Sequence, residues 1–386
     1  MERENAFSAF RNILVLFSLS YSFIAGIFGV LLLAKGFDIA QVGLYYSIYY
    51  LAIFILQAPA GAFADAYGRK TAIAASAITQ MAFLAMFAFL PAVQWMLALA
   101  LLSAGTEALF TGASEAHGVD LLGRQKNGKT QRLLASARSF EFAAIILGAA
   151  VGGAASVMSP NAPVFLCFIF AAANLAYCLF SLHEPARARR KMRHALSESF
   201  SFSLSSSSAR LIIAISLLLG AGFFAINSYW QVVLSQEGLG NGAVGLFFGV
   251  MNVAMIIGFR ASNSLRASWK AVSALLALLA ACLLLSGILP SAAMFMAAII
   301  LLQVAYGAYV PVEGAILNNA TPSRIRATVL SLKAMAFRAG MAAFGLVLYA
   351  AGDAAPRLLW AQSSIFLLAG ALLALFQARK ENQEKS

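Results

Sequence analysis

The chain has 386 residues, of which 61% are hydrophobic and only 11% are charged. Soluble domains carry about 25% charged residues, and a chain this apolar has too few polar side chains to cover a water-exposed surface. The composition therefore argues against an ordinary soluble protein and predicts a membrane protein. All three cysteines lie within apolar segments, so they are expected to pack as small hydrophobic residues, with no disulfide framework.

Apolar runs separated by glycine, proline and charged residues predict twelve helices, each about long enough to cross a ~30 Å hydrocarbon core. The predicted spans are 12–34, 39–62, 71–90, 93–116, 133–157, 161–182, 210–233, 242–264, 271–289, 292–317, 326–351 and 358–377. We therefore expect an all-α membrane protein. One six-helix bundle covers residues 1–182, a cytoplasmic linker covers 183–209, and a second bundle covers 210–386.

The positive charges indicate the orientation of these helices. Most of the 27 Lys and Arg residues fall at the two termini or in the connections that follow even-numbered spans. Because cytoplasmic loops are enriched in Lys and Arg, both termini are predicted to be cytoplasmic, in a multi-pass protein of the inner membrane. This topology accounts for the net charge of +12, so the lipid bilayer is the expected partner and a nucleic acid is not.

A short charged segment separates the second and third predicted spans. Residues 61–70 read Gly-Ala-Phe-Ala-Asp-Ala-Tyr-Gly-Arg-Lys, which is typical of a cytoplasmic turn between two membrane helices. The pattern resembles the loop signature of the major facilitator superfamily, with Ala66 in place of the usual cation. Residues 111–120 and 318–331 resemble other segments of that superfamily. The resemblance implies a monomeric secondary transporter with two pseudo-symmetric six-helix bundles and alternating access.

The same resemblance implies a cytoplasmic gate built from glycines and from charged residues at the ends of several spans. Its members would be Gly61, Asp65, Gly68, Arg69, Lys70, Glu115, Asp120, Arg132, Arg138, Glu313, Arg326 and Lys333. Asp65 and Arg69 are four residues apart with the acid first, a spacing that suits an ion pair within one helix.

Three further charged residues fall within predicted spans, where a charge costs about 2.5–3.5 kcal/mol. Glu107 can carry the coupling proton or attract a cationic substrate; the alternative is a structural carboxylate hydrogen-bonded to a neighbouring helix through Thr106 or Ser103. Arg338 can bind an anionic substrate group or form a salt bridge between helices. Glu141 lies one turn after Arg138, and the two are expected to pair.

Aromatic and polar residues on the predicted cavity helices are candidates for a substrate site. They are Tyr21, Asn227, Tyr229, Trp230, Gln231, Tyr306 and Tyr309. For each of them, ordinary packing in the core or at the membrane interface is the competing interpretation.

Residues 123–130 match the phosphate-binding loop pattern, but they lie between two membrane helices with no strand before them. ATP binding is therefore not expected, no metal or other cofactor is predicted, and the proton gradient is the expected energy source. The three histidines have no nucleophile or metal-ligand constellation nearby, so an enzyme is not expected.

The favoured function is efflux: proton-coupled export of small amphipathic molecules by an antiporter. Gly148, Gly152 and Gly153 resemble the glycine motif of drug:proton antiporters, although Ala108 stands where many of those carry an arginine. The alternatives are proton-coupled uptake of a polar or anionic metabolite and, more remotely, a transport-inactive receptor or scaffold.

Overall fold

A computed structural model describes residues 2–122, 129–182, 206–322, 325–351 and 355–383. The described residues form thirteen α-helices and one short 3-10 turn, and they contain no β-strand. The helices are α1 Glu2–Ala25, α2 Phe28–Ala34, α3 Ile39–Tyr67, α4 Arg69–Phe89, α5 Met96–Leu122, α6 Lys129–Met158, α7 Ala162–Phe180, α8 Ser207–Gln236, α9 Asn241–Ala261, α10 Trp269–Ile288, α11 Ala292–Ala320, α12 Arg326–Ala351 and α13 Pro356–Gln383. Among the described residues, twelve helical segments are long and apolar enough to cross a membrane, which confirms the predicted all-α membrane fold.

Helix boundaries differ from the predicted spans in two ways. The first predicted span is two helices, because α1 ends at Ala25 and α2 begins at Phe28. Gly26 lies in the break, and glycine is a poor helix former. Elsewhere the helices run past the apolar segments; α3 reaches Tyr67 and α6 begins at Lys129. Hydropathy identifies only the part of a helix inside the hydrocarbon, whereas the backbone hydrogen bonds continue through the polar flanks.

The charged turn between the second and third spans is a single residue, Gly68. Its φ of 103° and ψ of 151° lie in a region that favours glycine, and α3 ends immediately before it while α4 begins immediately after it. Asp65 and Arg69 are therefore on different helices. The single-helix spacing assumed for them is therefore wrong, because α3 ends before Gly68. Whether the two residues pair stays a prediction.

The chain divides into two compact units. Unit 1 comprises Met1–Arg189 with Gly238–Gly249, and unit 2 comprises Arg190–Glu237 with Val250–Ser386. The predicted linker stays a prediction, since residues 183–205 lie outside the described part of the chain. So do residues 123–128 of the phosphate-loop pattern.

Five helix pairs of unit 1 have counterparts in unit 2. In unit 1, α1 packs against α5, α6 and α7, while α4 packs against α5 and α7. In unit 2, α8 packs against α11, α12 and α13, while α10 packs against α11 and α13. Each helix of the second set occupies the same place in its six-span sequence as its counterpart in the first. This correspondence is the one expected of a parallel six-helix repeat.

Glycines bring corresponding helix pairs into close contact. In unit 1, a Cβ on Gly152 of α6 would collide with the carbonyl oxygen of Phe23 on α1. In unit 2, a Cβ on Gly220 of α8 would collide with the Phe337 carbonyl of α12, and one on Gly340 would collide with the Leu217 carbonyl. Small residues at such positions let two backbones approach, which is how membrane helices associate without a hydrophobic driving force.

Candidate functional site

Glu107 lies on α5, well inside the segment Met96–Ser114 that is apolar enough to span a membrane. Its side chain is half-buried, and the hydroxyl of Tyr49 on α3 donates a hydrogen bond to its Oε2. Four residues earlier on both helices, the hydroxyls of Tyr45 and Ser103 are 2.9 Å apart. The parallel helices α3 and α5 thus place tyrosines at successive turns opposite polar side chains.

If Glu107 had only a structural role, Thr106 or Ser103 was expected to link it to a neighbouring helix. Both of these residues have other partners. Thr106 shares a hydrogen bond of 2.9 Å with Thr79 of α4, and Ser103 is the partner of Tyr45. The neighbouring helix does hold Glu107, but through a tyrosine that the sequence analysis did not single out. One turn further, Thr111 donates to the Glu107 carbonyl oxygen at 2.7 Å, and the Gln57 amide lies 3.5 Å from the Thr111 hydroxyl.

Tyr49 belongs to a cluster of four tyrosines on α3 that the sequence analysis missed. Tyr45 and Tyr46 meet edge to face with ring centroids 5.6 Å apart, and Tyr49 and Tyr50 do so at 5.1 Å. The rings of Tyr46 and Tyr50 are stacked at 6.4 Å, with an interplanar angle of 22°. The available signal was the spacing i, i+1, i+4, i+5 of four tyrosines within one span, which puts them on one side of a helix.

A second charged group lies near Glu107. Arg138 of α6 donates a hydrogen bond of 2.7 Å to Glu141, three residues further along the same helix, which confirms the predicted pair. The Glu141 side chain is 12% exposed and that of Arg138 is 40% exposed. The Tyr21 hydroxyl of α1 lies within electrostatic range of Glu141, Glu107 and Arg138. Four candidates from different parts of the predicted site are therefore neighbours in unit 1.

Unit 2 contains a buried ion pair between Glu313 of α11 and Lys333 of α12. The Glu313 side chain has no exposed surface, and its Oε1 has no hydrogen-bond partner among the described residues. The same holds for the Tyr309 hydroxyl, which lies one turn earlier on α11 and within electrostatic range of Glu313. Tyr306 lies within the same range and packs against the Phe223 ring at 4.9 Å.

The remaining candidates of unit 2 are more dispersed. Tyr229, Trp230 and Gln231 are buried on α8, whereas Asn227 is exposed. Arg338 is half-buried on α12. Arg326, at the start of α12, donates to the Thr321 carbonyl oxygen at 3.3 Å, so it stabilises the turn between α11 and α12.

The signature segment contacts two other helices of unit 1, α5 and α7. Lys70 donates to the Leu179 carbonyl oxygen at the end of α7 at 3.3 Å, and Asp65 is exposed. A Cβ added to Gly112 of α5 would lie 3.4 Å from the Gly61 nitrogen, so α3 and α5 approach each other closely here. The side chains of the other predicted gate residues of unit 1, Glu115, Asp120 and Arg132, lie outside the described part of the structure.

One cation outside the membrane-crossing segments has a perturbed environment. Lys35, which follows α2, donates to the Ala88 carbonyl oxygen at 3.1 Å and lies 5.5 Å from the centroid of the Phe87 ring. Partial burial lowers the pKa of Lys35. Among the described residues, no group of His, Cys, Asp and Glu is arranged to hold a metal ion.

The profile of the Major Facilitator Superfamily matches residues 12–289 of this chain. The chain belongs to that superfamily. It is also 24% identical over 254 residues to an uncharacterized transporter of the superfamily, YxaM of Bacillus subtilis (strain 168). That match covers 60% of this chain and 62% of the relative, so the chain spans less than two thirds of the relative's length.

Solved structures of several superfamily transporters share the fold. A structure of the nucleoside transporter NupG matches with a TM-score of 0.74 at 16% identity, covering 96% of this chain and 98% of that one. A bacterial homolog of the human lysosomal transporter Spinster matches with a TM-score of 0.71 at 13% identity, covering 98% and 96%. A POT family transporter in complex with a thioalcohol conjugated peptide matches with a TM-score of 0.74 at 12% identity, covering 97% and 96%. At these identities the likeness establishes the fold, and this superfamily member is a multi-pass membrane protein.

Proposed function

We propose that the protein is a secondary active transporter that uses the proton gradient to export small amphipathic molecules by alternating access. The observation that carries this proposal is the environment of Glu107. A carboxylate within a membrane-crossing segment is costly and marks a functional site by default. The hydrogen bond from Tyr49 offsets part of that cost, and the side chain stays half-buried instead of fully enclosed. Such a carboxylate can take up and release a proton.

The proton gradient supplies enough energy for this role. One proton moving down a potential of ~100 mV releases about 2.3 kcal/mol. Since 1.4 kcal/mol corresponds to a factor of ten, one proton drives roughly fifty-fold depletion of a substrate from the cell. No nucleotide or other cofactor is part of this proposal.

The orientation of the protein follows from its charge distribution. We place both termini in the cytoplasm of a cell with an inner membrane, because the basic residues cluster at the termini and in alternate connections. The Gly68 turn and its charged neighbours then lie on the cytoplasmic side, where the resemblance to the superfamily signature supports a gating role. The transporter works as a monomer in this proposal.

Proton-coupled uptake of a polar or anionic metabolite is the second candidate. Two observations favour it: Arg338 is a half-buried cation within a membrane span, and NupG, a nucleoside transporter, shares the fold. Under this alternative, Arg338→Ala abolishes uptake of an anion, while Glu107→Gln affects only coupling.

Dye efflux tests the favoured function. Cells that express the protein are loaded with either Nile red, which is neutral, or ethidium, which is cationic, and efflux is followed with and without a protonophore. We expect protonophore-sensitive efflux that is lost in Glu107→Gln at matched expression. Efflux of neither dye above the empty-vector level, together with Arg338-dependent uptake of radiolabelled anions or nucleosides, would reject export and favour uptake.

A further inference from the structure

One end of unit 2 carries exposed cations next to exposed apolar side chains. We call this surface the amphipathic patch. It is formed by two residues at the start of α10 and three residues of α13, all exposed: Arg266, Lys270, Leu372, Phe376 and Arg379. We propose that the amphipathic patch binds one anionic phospholipid, with the phosphate at the cations and an acyl chain along Leu372 and Phe376.

The register between α10 and α13 brings these residues to the same end of unit 2. The Ser273 hydroxyl of α10 donates to the Ala371 carbonyl oxygen of α13 at 2.8 Å. Near the other end of α10, a Cβ added to Gly287 would come within 2.6 Å of the Arg357 carbonyl oxygen, so the two helices are antiparallel. Arg379 lies about 12 Å beyond Ala371 along the axis of α13, whereas α10 begins only one turn before Ser273. Therefore α13 extends past the start of α10, and Arg379 lies level with the connection between α9 and α10.

The apolar and charged members of α13 follow one side of that helix. Leu372, Phe376 and Arg379 are spaced by four and then three residues, which is the spacing of neighbours on a helix surface. The exposed fractions of Leu372 and Phe376 are 66% and 71%, within a helix that is long and apolar enough to cross a membrane. An exposed apolar stripe that ends in a cation is complementary to a phospholipid, whose apolar chains end in a phosphate.

The charges around the patch favour an anionic ligand. Residues 258–270 contain no acid and three exposed cations: Arg260, Arg266 and Lys270. The corresponding connection of unit 1, residues 61–70, differs because it includes Asp65. The last turns of α13 add two cations and one acid: Arg379, Lys380 and Glu381. The balance is positive, and each Lys or Arg near a membrane surface strengthens its attraction to anionic lipid.

This inference goes beyond the proposed transport function and depends on neither its direction nor its coupling ion. In the proposed orientation this end of α13 faces the cytoplasm, so the lipid comes from the cytoplasmic leaflet, whose anionic headgroups attract basic segments. A bound lipid also differs from a general attraction to the membrane surface. Its binding is saturable, and it persists in detergent micelles, where no charged membrane surface exists.

Native mass spectrometry of the purified full-length protein in a non-ionic detergent tests the proposal. Titration with phosphatidylglycerol, or with phosphatidylcholine of the same chains, gives the dissociation constant of the first bound lipid. We expect phosphatidylglycerol to bind at least about fivefold more tightly, because it has a net negative charge. Arg266→Gln and Arg379→Gln should each weaken its binding roughly fivefold, as expected for one cation, and leave phosphatidylcholine binding within about twofold. Arg11→Gln is the matched control, since the Arg11 guanidinium contacts Asn12 and the Phe140 ring in unit 1.

A second arm separates a lipid site from a site for free phosphate. Glycerol 3-phosphate has the charge without the chains, so it should not displace phosphatidylglycerol. Phe376→Ser should weaken the binding of both lipids by similar factors, because it removes part of the apolar stripe.

Three results would overturn the proposal: equal affinities of the wild-type protein for the two lipids, displacement by equimolar glycerol 3-phosphate, or a loss in Arg11→Gln as large as that in Arg266→Gln. The first two need no variant, so a folding defect cannot obscure them. The substituted side chains of the patch are exposed, and we expect the thermal midpoints of these variants to match that of the wild type.

Discussion

The carboxylate of Glu313 on α11 pairs with the ammonium of Lys333 on α12, and the Glu313 side chain has no exposed surface. Its second oxygen and the Tyr309 hydroxyl have no hydrogen-bond partner among the described residues. Two charges taken out of water repay the cost of desolvation only with good geometry and further hydrogen bonds. This ion pair links α11 and α12 of unit 2, and either charge without the other would be costly to bury.

Removing one partner of this pair should be costly. Lys333→Met leaves a buried carboxylate without its cation, so we expect a loss of about 3–5 kcal/mol in stability. The midpoint of thermal unfolding of each purified variant in detergent ranks the variants by stability. Adding Glu313→Gln to Lys333→Met should recover most of the loss, because no buried charge then remains. A double variant as unstable as Lys333→Met alone would show that Lys333 does not stabilise the protein through its pair with Glu313.

The hydroxyl of Tyr49 should matter more for transport than the hydroxyl of Tyr45. Tyr49→Phe removes a hydrogen bond to a carboxylate, which is worth about 1.5–3 kcal/mol, so protonophore-sensitive efflux should fall by roughly 10- to 100-fold. Tyr45→Phe removes a bond of similar placement to a neutral serine. We expect near-normal efflux in that control at matched expression. Equal losses in both variants would argue that these tyrosines only join α3 to α5.

The close packing of α8 and α12 should not tolerate a methyl group. Gly220→Ala and Gly340→Ala each place a Cβ against a backbone carbonyl of the other helix, so each should cost about 1–3 kcal/mol. Gly314→Ala is the control, since a Cβ there meets nothing within 4 Å and alanine is the better helix former. Thermal midpoints should therefore fall for the first two variants and stay level or rise for Gly314→Ala. The opposite order would contradict the described helix packing.

Two glycines of the signature segment should respond differently to alanine. Gly68→Ala forces a side chain into a backbone conformation at φ 103°, so we expect a loss of about 1–3 kcal/mol. Gly61 is helical, and a Cβ there meets nothing within 4 Å, so the thermal midpoint of Gly61→Ala should stay level or rise. Efflux measured for Gly61→Ala then tests the gating role separately from any effect on stability. Lost efflux with normal stability would support that role, and normal efflux would remove Gly61 from the gate.

The sequence predicted parts of the candidate site, but only where helical spacing alone decides a contact. The Arg138–Glu141 pair follows from a separation of three residues on one helix. Asp65 and Arg69 had an equally suitable spacing, but Gly68 ends the helix between them, so the spacing does not decide whether they pair. The partner of Glu107 could not be predicted, because the register between α3 and α5 determines which side chains meet. Tyr49 is separated from Glu107 by 58 residues, and no local pattern links the two positions.

The sequence by itself determined the class of this protein. Apolar runs of membrane-crossing length, the distribution of Lys and Arg, and the signature at residues 61–70 were sufficient to predict twelve helices and the superfamily. These properties depend on how favourably each side chain transfers from water to lipid and on the residue types within one short segment. Both can be assessed from the sequence without knowledge of contacts between helices. Only the tertiary structure decided that Tyr49 bonds to Glu107, that Glu313 faces Lys333, and that glycines bring α8 and α12 together. Each of these contacts joins separate helices, and their relative rotation and register follow from the packing of whole surfaces, which no single segment of the sequence encodes.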